Sequence, residues 1–378
     1  MSLEELAGSP AYEIFNEVSR RKAAGEDVVS LAIGEPSFAT PPEIIEAAYQ
    51  SMKSGATHYV GSYGIPELRN AISQKTTEKN HIRANPGNTV FITTKLAVYA
   101  CLMASGVAGG DVLIPDPGYY YSEPVIMNGG KPVRYPLGEN FAVDAEAIKK
   151  VATEKTKAII INTPSNPTGH VSARSELEEV FEFCKEKGIR ILSDESYEDL
   201  VYEGEHHSIG SMEDSPSLVY SLFSLSKSYA MTGWRAGYVV ANEKKVSLIN
   251  TFIENTVTCF PPFIQAASAY AIKNGRRFTE QFRDELKARR KLTEEALDRI
   301  DSITYTRSQG AFYSFPSYQS PLSSTELSQR LLRRNNLAII PGVLFGPSGE
   351  RHLRISFGAP RESIEEGMKR LKAGLTQA

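Results

Sequence analysis

Cysteine is scarce in this chain: Cys101, Cys184 and Cys259 are its three, an odd number without Cys-x-x-Cys spacing. That excludes a disulfide framework and reads as reduced, mostly buried thiols in a cytosolic protein rather than a catalytic thiol. No uncharged apolar run reaches roughly 18 residues, so no transmembrane helix is expected. The amino terminus, MSLEELAGSPAYEIF, lacks the basic start and apolar core of a signal peptide. Surplus charge is absent as well. A net charge of -3 gives no electrostatic reason to expect nucleic acid or an anionic membrane as a partner, so any bound anion needs a local site. Internal repeats and low-complexity stretches are missing, which sets aside solenoids and linker-rich arrangements.

What is present is an ordinary globular composition, 41% hydrophobic and 23% charged over 378 residues. That length suggests two domains, or a large one with a smaller satellite. From about residue 85 to 245, short apolar runs (TVFIT, DVLIPDP, KAIIINTP, RILSDES, LVYSLFS, AGYVVAN) alternate with amphipathic stretches such as Ser175 to Lys187. Continuous apolar strands alternating with helices imply a mostly parallel sheet covered on both faces, with ligands at the carboxyl ends of its strands. Asn166, Asp194 and Lys227 each follow such a run. Gln265 to Ile300 reads as one or more long solvent-facing helices, with the GRR at 275 to 277 and the ARR at 288 to 290 on a solvated face. Short strands (GAFYSFP, LAIIPG, LRISFG) and a closing helix from Ser363 complete the chain. The expectation is an α/β fold: a large domain over 41–275, and a smaller α/β domain formed by residues 276–378 and an amino-terminal segment, 1–40.

Lys227 carries the chemical argument. A lysine is seldom placed where an apolar strand ends inside a sheet, because burying an ammonium is costly. Burial lowers its pKa and makes it a usable nucleophile toward aldehydes. Ser224 and Arg235 flank it and suit a phosphate dianion. Elsewhere the reading is plain. His206 and His207 are adjacent, so in a strand they point to opposite sides, and no metal site is expected. Trp234 reads as packing.

The segment SLSKSYAMTGWRAG resembles the cofactor-lysine motif of the class I/II pyridoxal-phosphate aminotransferases, the aspartate aminotransferase-like group of fold type I. GEPSF, HYVGSYGIPELRNAI, IPDPGYYY, NTPSNPTG, SDESYEDLVYEGEHHSI and LRISFG follow in the family's order and span nearly the whole chain. The resemblance implies pyridoxal 5'-phosphate on Lys227 as an internal Schiff base, with Asp194 facing the pyridine nitrogen. It places Asn166 and Tyr197 on the phenolic oxygen, Tyr119 on the ring face (Tyr120 and Tyr121 being adjacent), and Ser224, Ser226 and Arg235 near the phosphate. Arg354 would take the substrate α-carboxylate, with Asn166 and Gly34 beside the substrate. Tyr59 would reach the phosphate of a neighbouring subunit, which implies a homodimer. The chain departs from the family at Thr93-Thr94-Lys95, where many relatives have glycines. There Thr94 and Lys95 are expected at the phosphate, a threonine hydroxyl adding a hydrogen bond to the phosphate beside the available helix-start amides.

The implied activity is amino-group transfer between an L-amino acid and a 2-oxo acid in a ping-pong cycle, in the cytoplasm. A β-elimination (C–S) lyase or an aminocyclopropane-carboxylate-synthase-like enzyme of the same fold is the alternative. A ligand-sensing regulator would need a DNA-binding module, for which the stretch before residue 34 is too short. Met103 and Cys101, on the helix after Lys95, are apolar where some aspartate-preferring relatives place a lysine, and this weakens the case for aspartate.

Overall fold

The computed structural model describes residues 10–376; the first nine residues of the expected amino-terminal segment lie outside them. Its centre is a seven-stranded sheet. Across it the strands run Thr89–Phe91, Gly237–Val240, Val219–Ser224, Arg190–Asp194, Thr156–Asn162, Asp111–Asp116 and Lys131–Pro136. Gly237–Val240 is antiparallel to both neighbours, and the remaining pairings are parallel. Helices cover both faces, which explains the unbroken apolar runs. Along Thr156–Asn162, Ala158 and Ile160 join one buried cluster, whereas Ile159 and Ile161 join another on the opposite face. Each fully buried isoleucine contributes about 1.5–3 kcal/mol by leaving water, so a polar substitution on either parity breaks one of two cores.

The helix Arg174–Lys187 shows how the punctuation works. Glu176 reaches back to the Ala173 amide, and Gly188, at φ 67°, closes the helix in the left-handed region that glycine adopts freely.

A second, smaller body of α/β structure lies beside the sheet. Leu353–Ser356 pairs antiparallel with Tyr313–Ser314 and with Ile340–Pro341. The amino-terminal stretch joins it, Val29–Ser30 running parallel to Leu337–Ala338. Its cores mix Val18, Val28, Leu31 and Ala32 with Phe315, Leu337, Ile340 and Leu371. The closing helix is Arg361–Thr376.

The reading of 265–300 as solvent-facing helix needs correction in two places. Pro262–Asn274 is a separate helix whose Ala267, Ser268, Ala269 and Ala271 are buried against the helices Pro42–Lys53 and Pro66–Glu78. Small side chains there allow close helix packing. Gly275 follows it, where a β-carbon would fall 2.3 Å from the Ala271 carbonyl oxygen. Within the next helix, Arg276–Leu297, Arg276 and Arg277 are exposed but Arg289 and Arg290 are buried. Arg289 Nη1 donates to Ser37 Oγ (2.8 Å) and to the carbonyls of Gly358 (2.9 Å) and Ala359 (2.8 Å). Arg290 Nη1 donates to the Ser308 carbonyl at 2.6 Å. These two arginines satisfy loop carbonyls that would otherwise be buried without donors, which a charge pattern does not reveal. No described helix is long and apolar enough to cross a membrane.

Candidate active site

Because six of the seven strands point the same way, their carboxyl ends open on one edge, and a cavity of about 380 Å³ lies there between the sheet and the smaller body. Five strand ends feed it: Phe91 leads to Thr93–Lys95, Asp116 to Tyr119–Tyr121, Asn162 to Asn166, Asp194 stands at its own strand end, and Ser224 leads to Lys227. Gly34, Thr94, Lys95, Tyr119, Asn166, Asp194, Tyr197, Ser224, Ser226, Lys227, Arg235 and Arg354 all border it. Tyr59 does not; it stands 86% exposed on the surface of its own chain.

Lys227 sits in the short helix Leu225–Ser228, whose start is fixed by Ser224 Oγ accepting from the Ser226 amide at 3.2 Å. Its Nζ donates to the Gly34 carbonyl at 2.6 Å. Burial above all pushes its pKa down to about 8; Arg235 and Arg354 push the same way, while Glu35 opposes them. The amine therefore gives up its proton more readily than a free lysine, with about a tenth of it neutral at pH 7. Gly34 has a steric reason to be glycine, since a β-carbon would lie 2.6 Å from Tyr313 Oη.

Asp194 is buried. Its Oδ2 accepts from Tyr121 Oη at 2.8 Å, and its Oδ1 from Ser196 N (3.1 Å) and Ser196 Oγ (2.6 Å). Burial raises its pKa against the pull of those hydrogen bonds, so the carboxylate favours a proton-bearing or cationic partner. Tyr121 is thereby engaged on Asp194, whereas half-buried Tyr119 presents its ring to the cavity.

A row of polar groups forms the opposite wall. Arg354 Nη1 donates to Asn166 Oδ1 (3.3 Å), Asn166 Nδ2 to Tyr197 Oη (3.4 Å), and Tyr197 Oη bonds Tyr313 Oη (2.9 Å). Arg354 also donates to the Ala32 carbonyl and lies 4.7 Å from the centre of the Tyr313 ring. Its Nε is buried with no acceptor among the described residues. Such a donor calls for an anionic ligand.

At the third side, Arg235 is exposed to the cavity, held by Nη1 on the Thr232 carbonyl (2.8 Å) and Nη2 on Thr93 Oγ1 (3.2 Å). Thr93 precedes the helix Thr94–Ala104. Thr94 Oγ1 donates to the Phe223 carbonyl at 3.2 Å, so of the two hydroxyls it is that of Thr93 which keeps its proton free. A β-carbon on Gly237 would sit 2.6 Å from Thr94 Oγ1, so a glycine beside the turn makes room for the threonine. The free amides of the helix start add to a site for a doubly charged anion.

This donor set fits pyridoxal 5'-phosphate: an amine for its aldehyde, a carboxyl for its ring nitrogen, a phenol and an amide for its phenolic oxygen, and a basic turn for its phosphate. Sequence reasoning missed Tyr313, Ser196 and Glu35. Ser196 was signalled by its place two residues after Asp194, where a hydroxyl meets the carboxylate in a turn. Glu35 accepts from Thr232 Oγ1 and ties the Gly34 loop to that of Arg235. Met103 and Cys101 do not border the cavity of their own chain; Met103 is 59% exposed and Cys101 is in the core. Burial pushes the Cys184 thiol up to about 12, which makes it a poor nucleophile. His206 pairs with buried Glu195 at 2.8 Å, and Trp234 Nε1 donates to Thr40 Oγ1 at 3.1 Å.

The profile of a family described as aminotransferase class I and II matches residues 26–371. An aspartate aminotransferase of Pyrococcus abyssi is 38% identical, the match covering 98% of this chain and 99% of that protein. An aromatic-amino-acid aminotransferase of Thermococcus litoralis is also 38% identical, over 98% of this chain and 99% of its own. The solved structure of a Thermus thermophilus aspartate aminotransferase with maleate superposes with a TM-score of 0.95 at 30% identity, covering 99% of each chain.

Proposed function

The chain belongs to the class I and II aminotransferases, a family of pyridoxal-phosphate-dependent enzymes, and from that premise we propose that Lys227 binds the cofactor and moves the substrate proton. The observation that carries this reading is the convergence of a half-buried amine, a buried carboxyl and a basic turn on one cavity. When bound, pyridoxal phosphate supplies an aldehyde for the substrate amine and a ring that withdraws electrons from the substrate's α-carbon. Asp194, held by Tyr121 and Ser196, would keep a proton on the ring nitrogen. Of the residues that border the cavity, Asn166 and Tyr197 would hold the cofactor's phenolic oxygen, Tyr119 its ring, and Arg235, Thr94, Lys95, Ser224 and Ser226 its phosphate. Arg354 orients the substrate by its α-carboxylate, with Gly34 leaving space beside it. Lys227 Nζ, within reach of the Gly34 carbonyl, takes the proton from the α-carbon and holds it for return. Its lowered pKa favours the neutral base this requires. A 2-oxo acid then takes up the amino group in the second half of the ping-pong cycle.

We further propose that 41–275 forms the cofactor-binding domain and 276–378, with the amino-terminal segment, the smaller one. The pairing of Val29–Ser30 with Leu337–Ala338 supports the second unit. The protein is assigned to the cytoplasm, in keeping with Cys101, Cys184 and Cys259 being unbridged. A homodimer is supported by Tyr59, exposed and not bordering its own cavity, and by Ile45, Tyr49 and Met52 exposed along one helix. Tyr59 then completes the phosphate site of the partner subunit.

The test is a half-reaction screen: each amino acid is mixed with the cofactor-loaded enzyme and the near-visible absorbance is followed. At least one amino acid should bleach it, and a 2-oxo acid should restore it. Release of pyruvate and ammonia from a cysteine conjugate without any 2-oxo acceptor would instead identify a lyase.

A further inference from the structure

Of the tyrosines that crowd the cavity, Tyr120 has no task in the chemistry above. Tyr121 is engaged on Asp194, Tyr197 and Tyr313 bond each other, and Tyr119 faces the cavity with its ring. Tyr120 also borders the cavity, its ring stacked on that of Phe345 with centroids 5.3 Å apart and planes 20° apart. The same Phe345 ring lies 5.1 Å from the Arg354 guanidinium carbon, so Phe345 is common packing for both side chains. The Tyr120 hydroxyl is buried and finds no hydrogen-bond partner among the described residues. Arg354 Nε shares that condition.

Two unpartnered buried donors on one wall are a cost to the fold, because each gives up water without a replacement acceptor. Both need an acceptor, and one with two oxygens answers both. Part of the Arg354 donor set is already held by Asn166 Oδ1 and the Ala32 carbonyl, which fixes the guanidinium in the wall. Burial, against the nearby Arg354 charge, holds the Tyr120 pKa above the ordinary phenol value, so the hydroxyl remains a donor at neutral pH.

We propose that Tyr120 is a substrate-binding residue whose hydroxyl, together with Arg354 Nε, donates to the α-carboxylate shared by every amino acid and 2-oxo acid substrate. The proposal rests on the aminotransferase reading of the cavity and extends its carboxylate site beyond Arg354. It predicts that Tyr120 contributes equally to all substrates and discriminates none by side chain.

The test uses the cofactor-loaded enzyme with Tyr120→Phe, which removes one oxygen and keeps the ring on Phe345. Binding of 3-phenylpropionate, a carboxylate with no amino group, is read from the shift of the cofactor absorbance. KM and maximal rate are read for several amino acids, and 2-phenylethylamine serves as an amine without a carboxylate. The expected result is a Kd for 3-phenylpropionate and KM values that rise by a common factor of about ten, as loss of a hydrogen bond to a charged group implies. The maximal rate and the response to 2-phenylethylamine stay unchanged. An unchanged Kd overturns the proposal, as does an equal loss with 2-phenylethylamine. A loss confined to amino acids with polar side chains also overturns it, placing the hydroxyl on the side chain instead. A wild-type enzyme that responds to no amino acid overturns the aminotransferase reading itself, whereas a responsive wild type with an indifferent Tyr120→Phe overturns the Tyr120 assignment alone.

Discussion

Two lysines withdrawn from water, Lys227 half-buried and Lys245 buried, stand in different parts of this molecule, and desolvation lowers the pKa of both. Lys227, at the carboxyl edge of the sheet, is pushed down to about 8; Lys245, in the helix Glu243–Thr256, is pushed down to about 7. Lys227 opens on a cavity, bonds the Gly34 carbonyl and has Asp194, Arg235 and Arg354 within its field. Lys245 borders no part of that cavity. Its Nζ lies 4.4 Å from the centre of the Tyr220 ring, has no hydrogen-bond partner among the described residues, and is opposed by Arg190. A depressed lysine pKa is thus a sign of burial alone. What separates a reactive amine from a packed one is a cavity with acceptors and opposite charges converging on it.

The largest expected effects test that distinction directly. Lys227→Ala should slow the amino-acid half-reaction by at least ~10⁴-fold, since it removes the group that carries the proton. Lys245→Met should leave the rate within about twofold, since that side chain has no path to the cavity. If single-turnover measurements gave comparable losses for both, the distinction would collapse. Next in size, Asp194→Ala should lower the same rate by about 10²–10³-fold, the range for removing one preorganised electrostatic partner. Cofactor retention after dialysis would show whether binding falls with it. An Asp194→Ala enzyme with wild-type turnover would mean that the convergence around Lys227 is not what makes it reactive.

The two regions also differ in how far their sequences could be read. The apolar runs ending at Asn162, Asp194 and Ser224 displayed the parallel sheet, because both of its faces are buried and the pattern is continuous. The residues that border the cavity follow those runs in the chain, so local order carried most of the site. Tyr121 was harder, because three consecutive tyrosines leave open which hydroxyl turns toward Asp194 until the backbone is fixed. Arg289 and Arg290 looked like a solvated helix face because burial through contacts with Ser37, Ser308 and Gly358 comes from remote parts of the chain. Lys245 was invisible for the same reason. In EKKVSLIN it is one of two adjacent lysines near a helix start, and only the packing of that helix against Thr94–Ala104 and Tyr220 turns it inward.

That packing leads to the smallest and most specific test, the stability gained when Lys245 is made apolar. Its folded pKa, about 7, lies below its ordinary 10.5. Between those values the unfolded chain binds a proton that the folded chain does not, so the lysine makes stability rise with pH across that window. Below pH 7 both states are charged and the native state carries the whole cost of an unpaired buried ammonium. Above 10.5 both are neutral and that cost vanishes. Lys245→Met keeps the length and removes the charge, so it should stabilise the protein by up to about 5 kcal/mol at pH 6, with the gain shrinking steadily toward pH 10. Urea unfolding of the variant and wild type at pH 6, 8 and 9.5 measures the difference directly. A gain that does not vary with pH would assign the effect to methionine packing, and would mean that Lys245 binds its proton equally in the folded and unfolded chains, its pKa unshifted by folding.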